Sequence, residues 1–240
     1  MIKKTIDWLF PQCCCVCQTE ISRDSIFCSK CFSEIIFIDV PICSRCGKML
    51  TVPLPPEEEQ ICDVCFNTNE IFFDISRSLF LYNNFSRRII FRIKKRADVE
   101  IIRACVRMLI NRYGPIVRDI DFIVPVPSHW TRNLLRGYNP SRMIAEEFSK
   151  ILCIPIDDGL KRIRRTEYQR GKTAKERVRN VESAFTYRGN LKDKRILLID
   201  DVMTTGATLN ECSRTLKMAG SPFVMCMNLA TTSITDPIKT

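Results

Sequence analysis

Eight cysteines near the start of this chain are spaced for metal chemistry. Residues 12–66 hold four C-x-x-C pairs: "CCVC" (Cys14, Cys17), "CSKC" (Cys28, Cys31), "CSRC" (Cys43, Cys46) and "CDVC" (Cys62, Cys65). Each pair forms a tight knuckle that aims two thiolates at one point, and two knuckles complete a tetrahedral S₄ site for Zn²⁺. Ten residues separate the first two pairs and fifteen the last two. Consecutive ribbons follow as the preferred pairing, Cys14/Cys17/Cys28/Cys31 and Cys43/Cys46/Cys62/Cys65, with about two structural zinc ions. An interleaved cross-brace is the alternative. Cys13 and Cys15 are spare, although Cys13 could replace Cys14 in a C-x₃-C knuckle. Reduced or redox cysteines without metal and an Fe–S cluster are the competing readings. Gly47 follows the third knuckle, where a positive φ is often needed.

A second chemistry is written in "RILLIDDVMTTGATL", Arg195 to Leu209. An apolar run, Ile196 to Ile199, ends at two adjacent carboxylates, Asp200 and Asp201, and a small, hydroxyl-rich turn follows. Such a turn between strand and helix exposes backbone N–H groups beside the positive helix N-terminus and so seats anions. Thr hydroxyls donate, and Gly206 lets the backbone approach a phosphate. The Lys and Gly spacing of a P-loop is missing, which argues against nucleoside triphosphate hydrolysis. Two carboxylates beside a phosphate seat call for hydroxyl donors or a metal, and a phosphorylated sugar with a vicinal diol satisfies both halves. The plainer alternative is an acidic strand end that caps a helix.

The elements that must position these groups read as α/β. "SRSLFLY", "DIDFIVPVP", "RILLID" and "PFVMCMNLA" are short apolar strands. "SRRIIFRIKKRA", "DVEIIRACVRMLINRYG", "NPSRMIAEEFSKIL" and "ATLNECSRTLKMAG" are helices, the third capped by Asn139 with Pro140 in its first turn and the last closed by Gly220. Alternation of this kind predicts a mainly parallel sheet covered on both faces, with ligands at the carboxyl ends of the strands. "TVPLPPEEEQ" is expected as an exposed loop inside the second ribbon. The division is placed at residues 1–70, a double zinc ribbon, and 71–240, the α/β domain. Cys105, Cys153, Cys212 and Cys226 sit singly in apolar contexts and are expected in the core.

Charge divides along the same line. Residues 1–70 carry six Lys/Arg against ten Asp/Glu, net −4, while the remainder is net +14. A basic second half suits polyanions. Residues 161–180 are densest, with Lys161, Arg162, Arg164, Arg165, Arg170, Lys172, Lys175, Arg177 and Arg179 against Glu167 and Glu176. Tyr168, Tyr138 and Trp130 lie near enough in sequence to stack on bases. His129 is the single histidine, so a Ser-His-Asp or Cys-His hydrolase would rest on it alone. No segment reads as membrane-spanning or as a signal peptide, and a reducing cytosol is the expected compartment. "MIKKTIDWLF" has the pattern of a short amphipathic helix.

"ILLIDDVMTTGATL" resembles the binding motif for 5-phosphoribosyl 1-pyrophosphate (PRPP) in type I phosphoribosyltransferases. The resemblance implies that Asp200 and Asp201 hold the ribose hydroxyls and that Thr204, Thr205, Gly206, Ala207 and Thr208 cradle the 5-phosphate. Purine-salvage members carry an acid at the position of Thr204, so hypoxanthine or guanine salvage is not implied. "IVPVPSHWTRNLLRGYN", "LKRIRRTEYQRGKTAKERVRNVESAF" and "RRIIFRIKKRAD" are similar to segments of the ComF family, in which an N-terminal double zinc ribbon is also typical. Pro140 departs from a common Gln, Lys172 from Leu and Ala97 from Gly.

That family likeness implies a pyrophosphate-facing loop at Pro127, Ser128 and His129, and a basic hood that brings Lys172 to the ligand. It also implies a catalytic set of Asp200, Asp201 and Arg177, with Mg²⁺ entering together with PRPP. Three roles remain open: a competence factor handling single-stranded DNA inside the cytoplasmic membrane, a conventional phosphoribosyltransferase with an unknown acceptor, and a PRPP-sensing regulator. The partners implied are PRPP, single-stranded DNA and other DNA-uptake proteins at the inner membrane. The expected location is cytoplasmic, peripheral to that membrane.

Overall fold

The structure, a computed structural model, describes residues 12–22, 25–55, 58–68, 70–128, 137–163 and 183–233. Two short helices, α1 (Ser29–Ser33) and α2 (Asp63–Asn67), each carry the second cysteine of a knuckle, Cys31 and Cys65. Beyond them come β1 (Ile75–Leu81), α3 (Asn84–Arg96), α4 (Val99–Tyr113) with a 3₁₀ turn at Gly114–Val117, β2 (Phe122–Pro125) and α5 (Pro140–Leu152). The rest is β3 (Leu160–Arg162), β4 (Phe185–Tyr187), β5 (Arg195–Met203), α6 (Ala207–Met218) and β6 (Phe223–Thr231).

Four strands form one parallel sheet in the order β1-β6-β5-β2. Burial on both faces explains their near-continuous apolar runs. Alternation divides β5 cleanly: Leu197 and Ile199 face one core, Ile196 and Leu198 the other. Met225 and Met227 of β6 join the first core, Val224 and Cys226 the second. Helices α3, α4 and α5 pack on the first side and α6 on the second.

The cysteine modules straddle this sheet. Cys14, Cys15, Cys31 and Phe27 belong to the first core, whereas Cys43, Cys46, Cys62 and Cys65 belong to the second. Gly47 has φ 69, as its place after the third knuckle predicted, and a Cβ there would stand 2.3 Å from the Ser76 carbonyl oxygen. The knuckle therefore seats directly on β1, which only glycine permits. Two bonds complete the seat, Ser76 N to the Arg45 carbonyl at 2.7 Å and Arg77 Nη1 to the Ser44 carbonyl at 3.0 Å.

Helix ends follow the sequence signals. The Asn83 side chain accepts from Phe85 N and Ser86 N at the start of α3, and Asn139 accepts from Ser141 N ahead of Pro140. Ala97 ends α3 in the left-handed region, φ 50, where the family's usual glycine is the easier residue. Two expectations change and one strand pair was not foreseen. The β3–β4 ribbon is not legible as strands, because three residues are too few to show an alternation. Cys153 is exposed at the left-handed end of α5, not in the core, while Cys105, Cys212 and Cys226 are buried as expected. And β5 runs to Met203, so Asp200 and Asp201 lie within the strand, because β6 stays paired with it as far as Thr231.

Candidate functional site

Parallel pairing brings the carboxyl ends of β2, β5 and β6 together. Val126 N donates to the Ile199 carbonyl at 2.9 Å, which extends the β2–β5 ladder and sets the partly buried Pro127 and Ser128 beside the acid pair. His129 lies outside the described residues, as do Trp130, Arg164, Arg165, Tyr168, Arg170, Lys172, Lys175, Arg177 and Arg179.

Asp200 accepts a hydrogen bond from Ser141 Oγ at 2.9 Å and from the amide of Asp201 at 2.9 Å. Asp201 forms an ion pair with Lys94 Nζ at 2.9 Å, from the last turn of α3. Part of the Asp200 surface reaches solvent, yet dense packing around it makes burial the dominant influence on its charge. Burial, then the neighbouring Asp201 charge, pushes Asp200 up to about 7, against the Asp201 amide, Lys94 and Ser141, which favour the anion. Two consecutive carboxylates near the end of β5 are thus met by one ammonium, one hydroxyl and one amide. They have acceptor capacity left for a diol.

The turn after β5 has the features of an anion seat. Gly206 has φ 80 and caps α6, with no side chain closing the helix start. Ala207 N is bonded only to Thr205 Oγ1, at 3.4 Å. Among the described residues the amides of Thr205, Gly206 and Thr208 have no acceptor in the protein. Free amides at the start of a twelve-residue helix attract anions. The turn is tied from behind: the Thr204 carbonyl accepts from Lys48 Nζ and from Thr232 Oγ1, both at 3.1 Å.

Lys94, Ser141 and Lys48 were not foreseen. Only the three-dimensional pairing brings them to the site, from 107, 59 and 156 residues away from the groups they contact. Tyr138 has a structural role at its hydroxyl. Its hydroxyl accepts from Ala97 N and donates to the Ile93 carbonyl, each at 3.0 Å, closing the end of α3 that carries Lys94.

Among the described residues two groups of four cysteines bring their sulfurs within 4.8 Å of one another, and they are the two consecutive ribbons. Cys14, not Cys13, completes the first. A tetrahedral site with Zn–S of about 2.3 Å needs S···S edges of about 3.8 Å. Cys17 and Cys28 stand at 3.6 Å and Cys46 and Cys62 at 3.7 Å, so both sets fit zinc. Backbone amides support the sulfurs: Cys31 N faces Cys28 Sγ at 3.4 Å, and Cys46 N faces Cys43 Sγ at 3.4 Å. Zinc bound there would supply cross-linking, since four protein ligands leave no open position.

The comparisons with known proteins find two family models in the chain. The double zinc ribbon domain matches residues 5–66 and the phosphoribosyl transferase domain matches residues 137–233. The chain is 31% identical to Competence protein F of Haemophilus influenzae, over 90% of this chain and 94% of that protein. It is 28% identical to Competence protein ComFC of Bacillus subtilis, over 86% and 89%. It is 27% identical to the DNA utilization protein YhgH of Escherichia coli, over 91% and 90%.

Proposed function

Because the chain belongs to the ComF family, joining a double zinc ribbon to a phosphoribosyltransferase fold, we propose that it binds PRPP with Mg²⁺ and serves the handling of single-stranded DNA in natural transformation. One observation carries the PRPP reading: two partly satisfied carboxylates and a turn of free amides meet at the end of one strand. Asp200 and Asp201 take the ribose hydroxyls, the turn from Thr204 to Thr208 takes the 5-phosphate, and Pro127 and Ser128 face the pyrophosphate. Asp200 and Asp201 are the residues that would hold Mg²⁺ entering with PRPP, and the ion would offset the charge of the diphosphate. His129, Lys172 and Arg177 keep the roles that family likeness gives them, the latter two in a basic hood over the ligand. In this reading residues 1–70 form the zinc module and 71–240 the ligand-binding domain.

The DNA reading has support among the described residues as well as in the names of the relatives. Helix α3, "NFSRRIIFRIKKR", contains no acid. Arg87, Arg88 and Lys95 are exposed, and Phe91 on the same side is 59% exposed. Cations and an open ring on one helix face suit phosphates and stacked bases. Arg87 and Arg88 sit near the positive end of the helix, where cations are disfavoured, so they do not serve the helix itself. No helix among the described residues is long and apolar enough to cross a membrane. We place the protein in the cytoplasm, peripheral to the inner membrane, where it meets incoming DNA and other uptake proteins.

Calorimetry with PRPP and Mg²⁺ tests the small-molecule half. Wild type binds, and Asp200→Asn/Asp201→Asn loses at least tenfold in affinity. Equal affinity in both proteins would leave the acid pair without this role. Incubation with PRPP, Mg²⁺ and a panel of nucleobases, nucleotides and DNA, following pyrophosphate release, separates an enzyme from a PRPP sensor.

A further inference from the structure

The second cysteine module reaches the phosphate turn through one side chain. Lys48 follows Gly47, and its backbone is fixed by the knuckle: its carbonyl accepts from Cys43 N at 2.8 Å, and Gly47 N donates to the Cys43 carbonyl at 2.9 Å. The module cannot drift, because Gly47 lies against β1 with no room for a Cβ. From this fixed base Lys48 extends to the Thr204 carbonyl at 3.1 Å, 156 residues away in sequence. Among the described residues the ammonium has no carboxylate partner, so a carbonyl on the phosphate turn holds a full positive charge. A zinc-loaded S₄ centre would carry net charge −2, and Lys48, two residues after Cys46, offsets part of it.

The geometry points to Lys48 as a positioning residue for a phosphate monoester, an inference that rests on the PRPP reading above. The Thr204 carbonyl accepts from both Lys48 and Thr232, and those two bonds use its lone pairs. In a trans peptide the C=O of one residue and the N–H of the next point in opposite directions. Fixing the Thr204 oxygen toward the ribbon therefore turns the Thr205 amide to the opposite side of the turn. Among the described residues that amide has no acceptor, and Thr205 is exposed. It begins the run of open donors continued by Gly206 and Thr208. Strand β5 holds the turn at its start, through Met203 paired with Thr231, and Thr232 N donates to the Met203 carbonyl at 3.1 Å. Among the described residues Lys48 adds the one charged tie, and it comes from the zinc module. The second cysteine cluster is by this route part of the phosphate seat.

Two variants test this, Lys48→Met, which keeps the aliphatic stem, and Lys48→Arg, which restores a cation. Hydrogen exchange on the ligand-free protein reads the turn directly. In Lys48→Met the hydrogen-bonded amides within 203–208, that of Ala207 among them, should exchange at least tenfold faster while those of 43–50 stay as in wild type and zinc content is unchanged. PRPP affinity, measured by calorimetry with Mg²⁺, should fall about tenfold, and Lys48→Arg should recover part of both effects. Unchanged exchange at 203–208 overturns the inference. So does faster exchange spread through 43–50, or loss of zinc in both variants, since each makes Lys48 a support of the ribbon alone. If wild type fails to bind PRPP while exchange at 203–208 still responds to Lys48→Met, the tie is established and the PRPP reading is what fails.

Discussion

The two faces of the sheet each carry a four-cysteine module, and the modules are not equivalent. The first sits with α3, α4 and α5, and its sulfurs grade from buried Cys14 and Cys31 to exposed Cys17. A groove of about 990 Å³ separates it from α4, lined by Phe27, Phe32, Arg103 and Met108 among others and by none of the ligand-site residues. The second has all four cysteines buried, lies on the α6 side and sends Lys48 into the phosphate turn. Similar knuckles therefore serve different ends. Both modules share buried sulfurs with a core of the domain, but the first keeps Cys17 in solvent, while the second is wholly buried and reaches the phosphate turn.

Disrupting each module in turn gives the largest expected contrast. Cys46→Ser should remove one of two zinc ions, destabilise the protein by several kcal/mol and abolish PRPP binding, because structural zinc binding is folding free energy. Cys17→Ser should also lose one zinc but leave PRPP affinity within about threefold. Zinc analysis with thermal melts and calorimetry reads the pair. Equal loss of PRPP binding would erase the distinction between the faces.

Asp200 lies where the faces meet. Its folded pKa of about 7 is above the ordinary value of 3.8, so the folded chain holds this proton more tightly than the unfolded chain. The stability from this group is present in full below about pH 4 and is lost as pH rises through about 7. Asp200→Asn should therefore raise the melting temperature of the ligand-free protein at pH 8 by several degrees and change it little at pH 4. PRPP affinity in wild type should rise between pH 6 and 8, since an ionised carboxylate accepts both hydroxyls, and that rise should vanish in the variant. Melting curves and titrations across this range decide both.

On the outer surface of the first face, Arg88→Ala/Phe91→Ala/Lys95→Ala should weaken single-stranded DNA binding. The salt slope, measured by fluorescence anisotropy with a labelled oligonucleotide, should flatten by roughly one to two units. Arg164→Ala/Arg165→Ala/Arg170→Ala tests the hood in the same assay; a flattened slope in that triple alone would move the DNA surface there. The smallest effect is at the end of α3. Ala97→Gly should stabilise the protein by about 1 kcal/mol in denaturant titration, because Ala97 holds φ 50 at a cost glycine does not bear.

Features carried by local patterns were legible in the sequence. The four knuckles, Asn139 ahead of Pro140 and Gly47 each lie within a few residues and were found where expected, and the Asp-Asp-then-turn motif was equally local, although its acids lie inside β5. Contacts made by distant residues had no local trace. Lys94, Ser141 and Lys48 are ordinary polar residues until β5 is placed between β2 and β6 and the second module is seated on β1. The length of β5 was hidden for a related reason. Asp200 and Asp201 break the apolar run, and only the continued pairing with β6 keeps them in the strand. Cys153 shows the converse: an apolar neighbourhood in sequence, "KILCIPI", that a left-handed turn directs outward.

Phosphorus NMR of PRPP with Mg²⁺, titrated with protein shown to carry two zinc ions, tests the central claim most directly. The account predicts that the 5-phosphate resonance shifts or broadens together with the pyrophosphate resonances in wild type, and that Asp200→Asn/Asp201→Asn weakens all of these changes at least tenfold. A 5-phosphate resonance that stays unmoved in wild type would contradict it, for the turn from Thr204 to Thr208 would then hold no phosphate.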